Sequence, residues 1–336
     1  MIQDTASTST LVALLCARER RSGYALARGG LQEPHAPLVV YASAQAHSSV
    51  EKAALLAGFG RDHVRVVAHD AAYAMRADAL DEAMRADRAA GRQPCAVVAT
   101  TGSTATTALD PVGALADVAA AHGAWLHVDA AMGGCAMILP ECRWMWDGIE
   151  RADSLVLNPH KWLGVAFDCS AYYVRDAEHL VRVMSTRPSY LQTYADAEVT
   201  NYRDWGLPLG RRFRALKLWF VIREQGVAGL QARLRRDLAN AQWLAAQVRA
   251  APGWRVLAPV PLQTVCLRHE PAGSAGAALD RHTLGWVERL NRSGYAYLTP
   301  AVLDGRWMVR VSIGAEATEK AHVEQLWTAM QAEVPA

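Results

Sequence analysis

The chain has 336 residues, of which 51% are hydrophobic and 20% charged, and its formal net charge is +2. This length allows one large domain with a smaller one, or two comparable domains, each with a substantial apolar core. The near-neutral charge and the lack of a lysine-rich block give no general attraction for nucleic acid or for an anionic membrane surface. No apolar run approaches the roughly 20 residues that a membrane-spanning helix needs.

The six cysteines are scattered and form no C-x-x-C pair. This distribution argues against a zinc site and against a disulfide framework. Cys135 and Cys142 are near enough in sequence to form a disulfide, but buried free thiols are the commoner arrangement. We expect no secretory signal, because Asp4 interrupts the start and no long apolar run follows it. A reducing cytoplasm is therefore the predicted location.

Short apolar runs alternate with helical patterns along the first half of the chain. The predicted strands are 38–42, 96–100, 125–128, 154–157 and 171–174, and the predicted helices are 8–19, 48–57, 78–89 and 112–121. Nothing before the first helix is expected to form a strand. This alternation predicts an α/β fold with a mainly parallel, doubly wound sheet. In such sheets, ligands bind beyond the carboxyl ends of the strands.

The pattern changes after residue 174. Residues 184–206 are polar and aperiodic, and a loop of that length in a compact domain is usually functional or disordered. Beyond it we predict helices at 211–224 and 227–250, strands at 264–267 and 308–312, a surface connection at 273–278, and a last helix from 318 to about 332. The predicted boundary near residue 220 separates a large domain, 1–220, from a smaller α+β domain, 221–336.

Lys161 is the most informative residue, because the chain has only four lysines and the other three lie in helical patterns. It follows the predicted strand 154–157 and Pro159, which fixes the backbone. A lysine at the exit of a buried strand loses its proton more easily when it is partly desolvated. The neutral amine can then form a Schiff base with an aldehyde.

Asp129 comes directly after the predicted strand 125–128. A buried carboxylate needs a cationic or strongly donating partner. A pyridinium nitrogen is one such partner, and the alternatives are a cap for the next helix or a metal ligand. Because Lys161 lies one strand-turn unit further on, we favour the pyridinium interpretation.

His47 follows the predicted strand 38–42. Ser48 and Glu51 fit a capping box for the next helix, which leaves His47 at the edge of the sheet. There it could stack on a flat ring or transfer a proton, although a lone histidine is more often structural.

Two further segments have the composition of ligand-binding turns. The hydroxyl-rich loop 100–107 can hydrogen-bond a ligand or cap itself. Thr5, Ala6 and Ser7 precede the first helix, where they could seat a phosphate or serve as a simple N-cap. Neither a P-loop nor a dinucleotide-binding motif occurs, which disfavours nucleotide cofactors.

Several motifs together resemble those of the pyridoxal-phosphate-dependent group II decarboxylases, most of all the aromatic-L-amino-acid decarboxylases. The central one is Asn158-Pro-His-Lys-Trp162, with His127-Val-Asp-Ala-Ala131 before it and Phe167-Asp-Cys-Ser170 after it. Segments beginning at Ala46, Ala99 and Pro208 match in the same order. The resemblance extends from Ile2 to about Met330.

The resemblance implies a fold-type I enzyme that works as a homodimer and converts an aromatic L-amino acid to its amine and CO₂. It implies that Lys161 holds pyridoxal 5'-phosphate as a Schiff base and that Asp129 pairs with the pyridine nitrogen. His47 would stack on one face of the ring and Ala131 would support the other. The remaining implied contacts are Thr104 near a ring substituent, and Ala6, Ser7, Asn158 and His160 around the phosphate.

The resemblance also assigns roles in the reaction and in substrate choice. Tyr190 matches the family tyrosine that returns a proton to Cα, and members with phenylalanine there tend to make aldehydes. Gly210 matches a glycine that leaves room for indole rings, which favours tryptophan-like or broad aromatic substrates.

The chain departs from the family at its beginning. Family members have a substantial segment before the point that aligns with Met1, and that segment wraps the partner subunit and supplies part of the pocket. We therefore expect either a full enzyme with a misassigned start, or an inactive fragment or regulatory dimerisation protein. Another fold-type I reaction, such as cysteine desulfuration, is a further alternative, but residues 184–206 contain no cysteine to support it.

Overall fold

The computed structural model describes residues 1–32, 35–186, 194 and 198–334. The chain divides into two compact units, one of Met1–Thr101 with Leu109–Glu224 and one of Gly102–Ala108 with Gln225–Ala336. The domain boundary near residue 220 stays a prediction, and it did not anticipate that Gly102–Ala108 belongs to the second unit. In the described part of the chain, no helix combines the length and the apolar character needed to cross a membrane.

The described strands of the first unit form a seven-stranded sheet in the order β1-β7-β6-β5-β4-β2-β3. Neighbouring strands from β3 to β6 pair in parallel, whereas β7 and β1 run antiparallel to their neighbours. The predicted mainly parallel sheet is therefore confirmed. The strands are β1 (Ile2–Gln3), β2 (Leu38–Ser43), β3 (Val64–Val67), β4 (Gln93–Thr100), β5 (Trp125–Asp129), β6 (Ser154–Leu157) and β7 (Ser170–Val174).

Helices cover both faces of this sheet. Val40 and Val98 belong to one buried cluster, with residues of the first and third helices, whereas Val39 and Val97 belong to another, with the fourth and fifth. Alternate residues of a strand point to opposite faces, so a sheet covered on both sides needs strands that are apolar throughout. The helices are α1 (Ala6–Arg21), α2 (Leu26–Gly29), α3 (Ser49–Leu56), α4 (Ala77–Ala89), α5 (Val112–His122) and α6 (Ala177–Met184).

Two strands of the sheet were not predicted. The expectation that nothing before the first helix forms a strand is wrong, because Ile2 pairs with Ala171 and Gln3 with Ser170. The edge strand β3 escaped prediction because it is only partly apolar and partly covered: Val66 is exposed and Arg65 interrupts the apolar run.

The second unit contains a four-stranded antiparallel sheet, in the order β10-β11-β9-β8, and its own apolar cluster. The helix α7 (Arg214–Ala250), whose residues from Gln225 onward belong to this unit, is interrupted at Gly226 (φ 64°, ψ 170°), between the two helices predicted there. The expected surface connection at 273–278 is wrong from Gly276 onward, where a helix begins. The other elements are β8 (Trp254–Val256), β9 (Thr264–His269), α8 (Gly276–Ser293), β10 (Thr299–Leu303), β11 (Arg306–Ser312) and α9 (Lys320–Ala332).

Candidate active site

A series of hydrogen bonds donated by backbone amides joins the carboxyl ends of β5 and β6. The Ala131 amide donates to Oδ1 of Asp129 (3.0 Å), and the Asn158 amide donates to the Ala131 carbonyl (3.0 Å). The Lys161 amide then donates to the Asn158 carbonyl (2.9 Å). These two parallel strands are direct neighbours, so residues that are 32 positions apart in sequence meet at one edge of the sheet. The structure thus brings together Asp129, Ala131, Asn158 and Lys161.

Asp129 is buried, and among the described residues its Oδ1 accepts one hydrogen bond while its Oδ2 accepts none. Its backbone carbonyl is held by the Thr101 amide (3.0 Å). The protein backbone therefore uses only one of the two carboxylate oxygens of Asp129. One oxygen orients the carboxylate, and the other is available to a donor that enters from the edge of the sheet.

The side chain of Lys161 is exposed, so the partial desolvation expected from the sequence is not observed. No other described residue forms a hydrogen bond or an ion pair with its ammonium group. The neighbouring His160 is fixed: its Nδ1 lies 2.9 Å from the amide nitrogen and 2.7 Å from the carbonyl oxygen of Cys169. Burial lowers the pKa of His160, and the positive charge of Lys161 lowers it further, against the opposing effect of the Cys169 backbone.

The beginning of α1 lies at the same edge of the sheet. β1, which precedes this helix, pairs with Ser170 and Ala171, and Ala171 is opposite Leu157 at the end of β6. The side chain of Thr5 accepts a hydrogen bond from the Thr8 amide, so Thr5 is the N-cap. Among the described residues, no acceptor is bound to the amides of Ala6 and Ser7. A helix N-terminus with free amides attracts an anion such as a phosphate.

His47 follows β2, but the predicted capping box beside it is wrong. Ser48 has a helical conformation and makes no side-chain cap, and Glu51 forms an ion pair with Arg61. His47 itself caps the helix, because its Nδ1 accepts from the Ser49 amide (3.1 Å) and lies 2.8 Å from Ser49 Oγ. An accepting Nδ1 places the proton of the neutral ring on Nε2. The histidine is therefore both a structural cap and an exposed donor.

Two other predicted residues, Thr104 and Tyr190, are not tested by this geometry. Thr104 is exposed, in a turn of the second unit that is closed by Ser103 Oγ, which accepts from the Ala108 amide (3.0 Å). Tyr190 lies outside the described residues. Their predicted roles stay predictions.

Sequence reasoning gave no role to Asp168, which the structure connects to this site. Arg214 donates two hydrogen bonds to its carboxylate, and the next residue, Cys169, contacts the ring of His160. The hydrogen-bonding partner Arg214 is 46 positions away in sequence, so no local pattern could have indicated it.

A buried histidine supports the strand that ends at Asp129. His127 is fully buried, and its ring nitrogens lie 3.3 Å from Thr10 Oγ1 and 2.9 Å from Ser154 Oγ. Trp125 Nε1 donates to the same Ser154 hydroxyl (2.9 Å). Burial lowers the pKa of His127 to about 4, although the negative charge of Asp129 opposes this shift.

We expect His127 to make the protein less stable in acid. The unfolded chain binds a proton on this histidine near pH 6.5, whereas the folded chain binds it only near pH 4. The stabilisation is therefore complete above about pH 6.5 and is lost as the pH falls to about 4, by a total on the order of 3 kcal/mol. Urea unfolding across this pH range should show a shallower pH dependence in His127→Gln than in the exposed control His35→Gln. Equal pH dependence in the two variants would contradict this assignment.

Comparison with known proteins identifies the family. The family description "Pyridoxal-dependent decarboxylase conserved domain" matches residues 1–270. The chain belongs to this family. Tryptophan decarboxylase 1 of Oryza sativa subsp. japonica is 42% identical over 97% of the chain, and the aromatic-L-amino-acid decarboxylase of Bos taurus is 41% identical over 98%. A crystal structure of Oryza sativa TDC with PLP and tryptamine superposes with a TM-score of 0.93 at 40% identity, covering 99% of this chain and 69% of that one.

These comparisons confirm the group II decarboxylase family and the fold-type I architecture predicted from the motifs. The chain spans only 65% of the rice tryptophan decarboxylase and 67% of the bovine enzyme. About a third of each relative therefore has no counterpart in this sequence.

The residues at this edge of the sheet fit the cofactor that the family name specifies. Asn158 is buried, and its Oδ1 has no hydrogen-bond partner among the described residues. A buried polar atom without a partner is costly in a folded protein, so such an atom at a strand end indicates a ligand or a water. The free Asp129 Oδ2 can accept from a protonated ring nitrogen, and the free Ala6 and Ser7 amides can donate to a phosphate.

Proposed function

We propose that this chain decarboxylates an aromatic L-amino acid to the corresponding amine and CO₂. The observation that carries the proposal is the hydrogen-bonded series from Asp129 through Ala131 and Asn158 to Lys161. A pyridine aldehyde needs a carboxylate near its ring nitrogen and a primary amine near its aldehyde. The series sets both groups at one edge of the parallel part of the sheet. The names of the relatives support the same reaction.

Each residue at the site has a proposed binding role. Lys161 would bind the aldehyde carbon of pyridoxal phosphate, and Asp129 would hold the proton on its ring nitrogen. His47 and Ala131 would lie on opposite ring faces, with Thr104 near a ring substituent. The backbone amides of Ala6 and Ser7, the side-chain NH₂ group of Asn158 and the ring of His160 would bind the phosphate. When bound, the cofactor supplies an electron sink for the pair of electrons that CO₂ leaves at Cα.

The protein's own groups control charge and protons during this reaction. Asp129 is anchored through Oδ1, so it would present its carboxylate at a fixed place to a protonated ring nitrogen. Lys161 is exposed, so a substrate amine arriving from solvent would be able to reach the place where its amine holds the cofactor. Tyr190 would then donate its phenolic proton to the substrate Cα, which gives the amine.

We propose a tryptophan-like or otherwise bulky aromatic substrate. Gly210 is exposed, and a Cβ atom built there meets no atom within 4 Å. No described side chain encloses this exposed position, so Gly210 supports a wide ring only through the family resemblance. The name of the rice relative and the tryptamine-bound Oryza sativa structure support the same preference. We further propose that the enzyme acts as a homodimer in the cytoplasm.

A direct assay of the purified chain tests the proposed function. Titration with pyridoxal phosphate should produce the absorbance of lysine-bound cofactor, and addition of L-tryptophan, L-tyrosine or L-dihydroxyphenylalanine should release CO₂ and the matching amine. If the chain shows neither the cofactor absorbance nor CO₂ release, the proposed function is wrong, and an inactive fragment or a regulatory dimerisation protein is favoured.

In air, Tyr190→Phe should divert the product from amine toward aldehyde, with dissolved O₂ as the two-electron oxidant that leaves as hydrogen peroxide and with the amino group released as ammonia. Phenylalanine keeps the ring but removes the hydroxyl that donates the proton to Cα, so the reaction loses its route to the amine. Chromatography of the products from L-tryptophan measures the ratio of the two. The matched control is Tyr194→Phe, which changes a tyrosine that is almost fully exposed. Amine as the sole product of Tyr190→Phe would contradict the role of Tyr190.

A further inference from the structure

An ion pair between Asp168 and Arg214 holds the far end of the lysine loop, which is residues 160–169. Neither residue is among the proposed cofactor contacts. Arg214, at the first residue of α7, donates through Nε to Asp168 Oδ1 and through Nη2 to Asp168 Oδ2, both at 3.0 Å. Lys217 Nζ lies 3.7 Å from Asp168 Oδ1. Asp168 therefore has a two-point contact and a second cation nearby.

This pair differs from an ordinary surface pair in geometry and in burial. The side chains of Arg214 and Asp168 are only 14% and 15% exposed. Exposed pairs contribute little to stability, because solvent and salt screen them and long side chains lose entropy. A two-point arginine–carboxylate contact fixes the direction of both groups, and partial burial strengthens it. Arg214 lowers the pKa of Asp168 to about 2, so the carboxylate is charged throughout the neutral range.

The pair connects to Lys161 through a short series of contacts. Asp168 is followed by Cys169, whose amide and carbonyl both contact Nδ1 of His160. The His160 amide also donates to the Cys169 carbonyl (3.3 Å), which closes the lysine loop across its two ends. Lys161 is the first residue inside that closure, and its carbonyl accepts from the Gly164 amide (3.2 Å). Movement of Asp168 therefore displaces the backbone that fixes His160 and, next to it, Lys161.

We propose that Asp168 and Arg214 are positioning residues, which hold the lysine loop so that Lys161 and His160 keep their orientation toward the cofactor. Neither residue touches the cofactor in this proposal. The inference rests on the proposed function of Lys161. It differs from a purely structural role because it predicts a local effect on residues 159–169 rather than a general loss of stability.

The test compares Asp168→Asn, Arg214→Gln and Arg214→Lys in two measurements. The first is amide hydrogen exchange of the chain without cofactor, followed in peptides that cover residues 159–169 and, separately, β4 and β5. The second is the dissociation constant of pyridoxal phosphate. Asp168→Asn and Arg214→Gln should accelerate exchange in 159–169 about tenfold, which corresponds to about 1.4 kcal/mol of local opening. Exchange in β4 and β5 should be unchanged.

Cofactor affinity should weaken in parallel with the faster exchange. We expect a dissociation constant about tenfold higher for both neutral variants, since small displacements of a reacting group have large effects. Arg214→Lys keeps the charge but loses the two-point contact. Its exchange in 159–169 and its dissociation constant should therefore lie between those of Arg214→Gln and those of the unaltered chain. The matched control is Asp78→Asn, which breaks an exposed pair with Arg76 and should change neither measurement.

Each alternative result is decisive. Unchanged exchange in 159–169, uniformly faster exchange that includes β4 and β5, or faster local exchange with unchanged cofactor affinity would each overturn the positioning role. If the unaltered chain binds no cofactor, the proposed function fails. In that case, the exchange measurement alone decides whether the pair orders the lysine loop, and unchanged exchange again overturns it.

Discussion

Lys161→Ala is expected to abolish both the absorbance of bound pyridoxal phosphate and the release of CO₂. The side chain supplies the amine that binds the aldehyde, and Lys161 follows the end of β6, which is the direct neighbour of β5. We expect the turnover rate to fall by more than about a thousandfold, as for the loss of a covalent catalytic group. Spectral titration and an amine assay with L-tryptophan measure the two effects.

The low lysine content keeps the background signal of this experiment small. The chain has only three other lysines, so accidental Schiff bases elsewhere give a small background. Lys320→Ala is the matched control, because Lys320 is an exposed residue of α9 whose ammonium pairs with Glu324 and lies 5.9 Å from the centre of the Trp243 ring. A variant without Lys161 that keeps the spectrum of the unaltered chain would disprove the assignment.

Asp129→Asn should produce the second-largest fall in turnover rate. Asparagine has nearly the same shape and can still accept from the Ala131 amide, but it carries no charge to hold a proton on the ring nitrogen. The electron sink is then weaker, and loss of one fixed electrostatic group lowers the turnover rate roughly 10²–10³-fold. Single-turnover kinetics with saturating cofactor separate this effect from weaker binding.

The control for Asp129 is a carboxylate with an arginine partner and no place at the site. Asp117 lies on α5, and Asp117→Asn removes its exposed contact with Arg151 and should leave turnover unchanged. If Asp129→Asn turns over at the rate of this control, the carboxylate has no electronic role. Asp129 would then only orient Ala131 and the backbone beside it.

Much of the first unit could be predicted because its signals are local. An apolar run such as 154–157, bounded by polar residues, is a property of neighbouring positions. The same is true of the helical pattern in 112–121. The order of strands and helices then implies a parallel sheet, and the parallel sheet implies that Asp129 and Lys161 approach one another. Errors arose where the local signal was weak, as at the edge strand β3 and at α8, which begins with glycine.

The site was less predictable than the fold, because several side chains take their partners from distant positions or from an unexpected neighbour. The sequence of His47, Ser48 and Glu51 suits a capping box, yet His47 forms the cap with Ser49. His127 belongs to the family-like motif, but its partners Thr10 and Ser154 come from α1 and β6. The chain has many arginines, and their charge alone does not show which of them pairs with Asp168.

The sequence by itself determined the α/β class, most strands of the large sheet, and the residues at the strand ends that resemble a pyridoxal-phosphate site. These follow from periodicity and from motifs, both of which are read over a few consecutive positions. The tertiary structure alone decided which amides fix Asp129, how His160 is held and which arginine neutralises Asp168. The reason is physical: hydrogen bonds and ion pairs depend on distance in space, and only the folded backbone brings the partner residues close enough to form them.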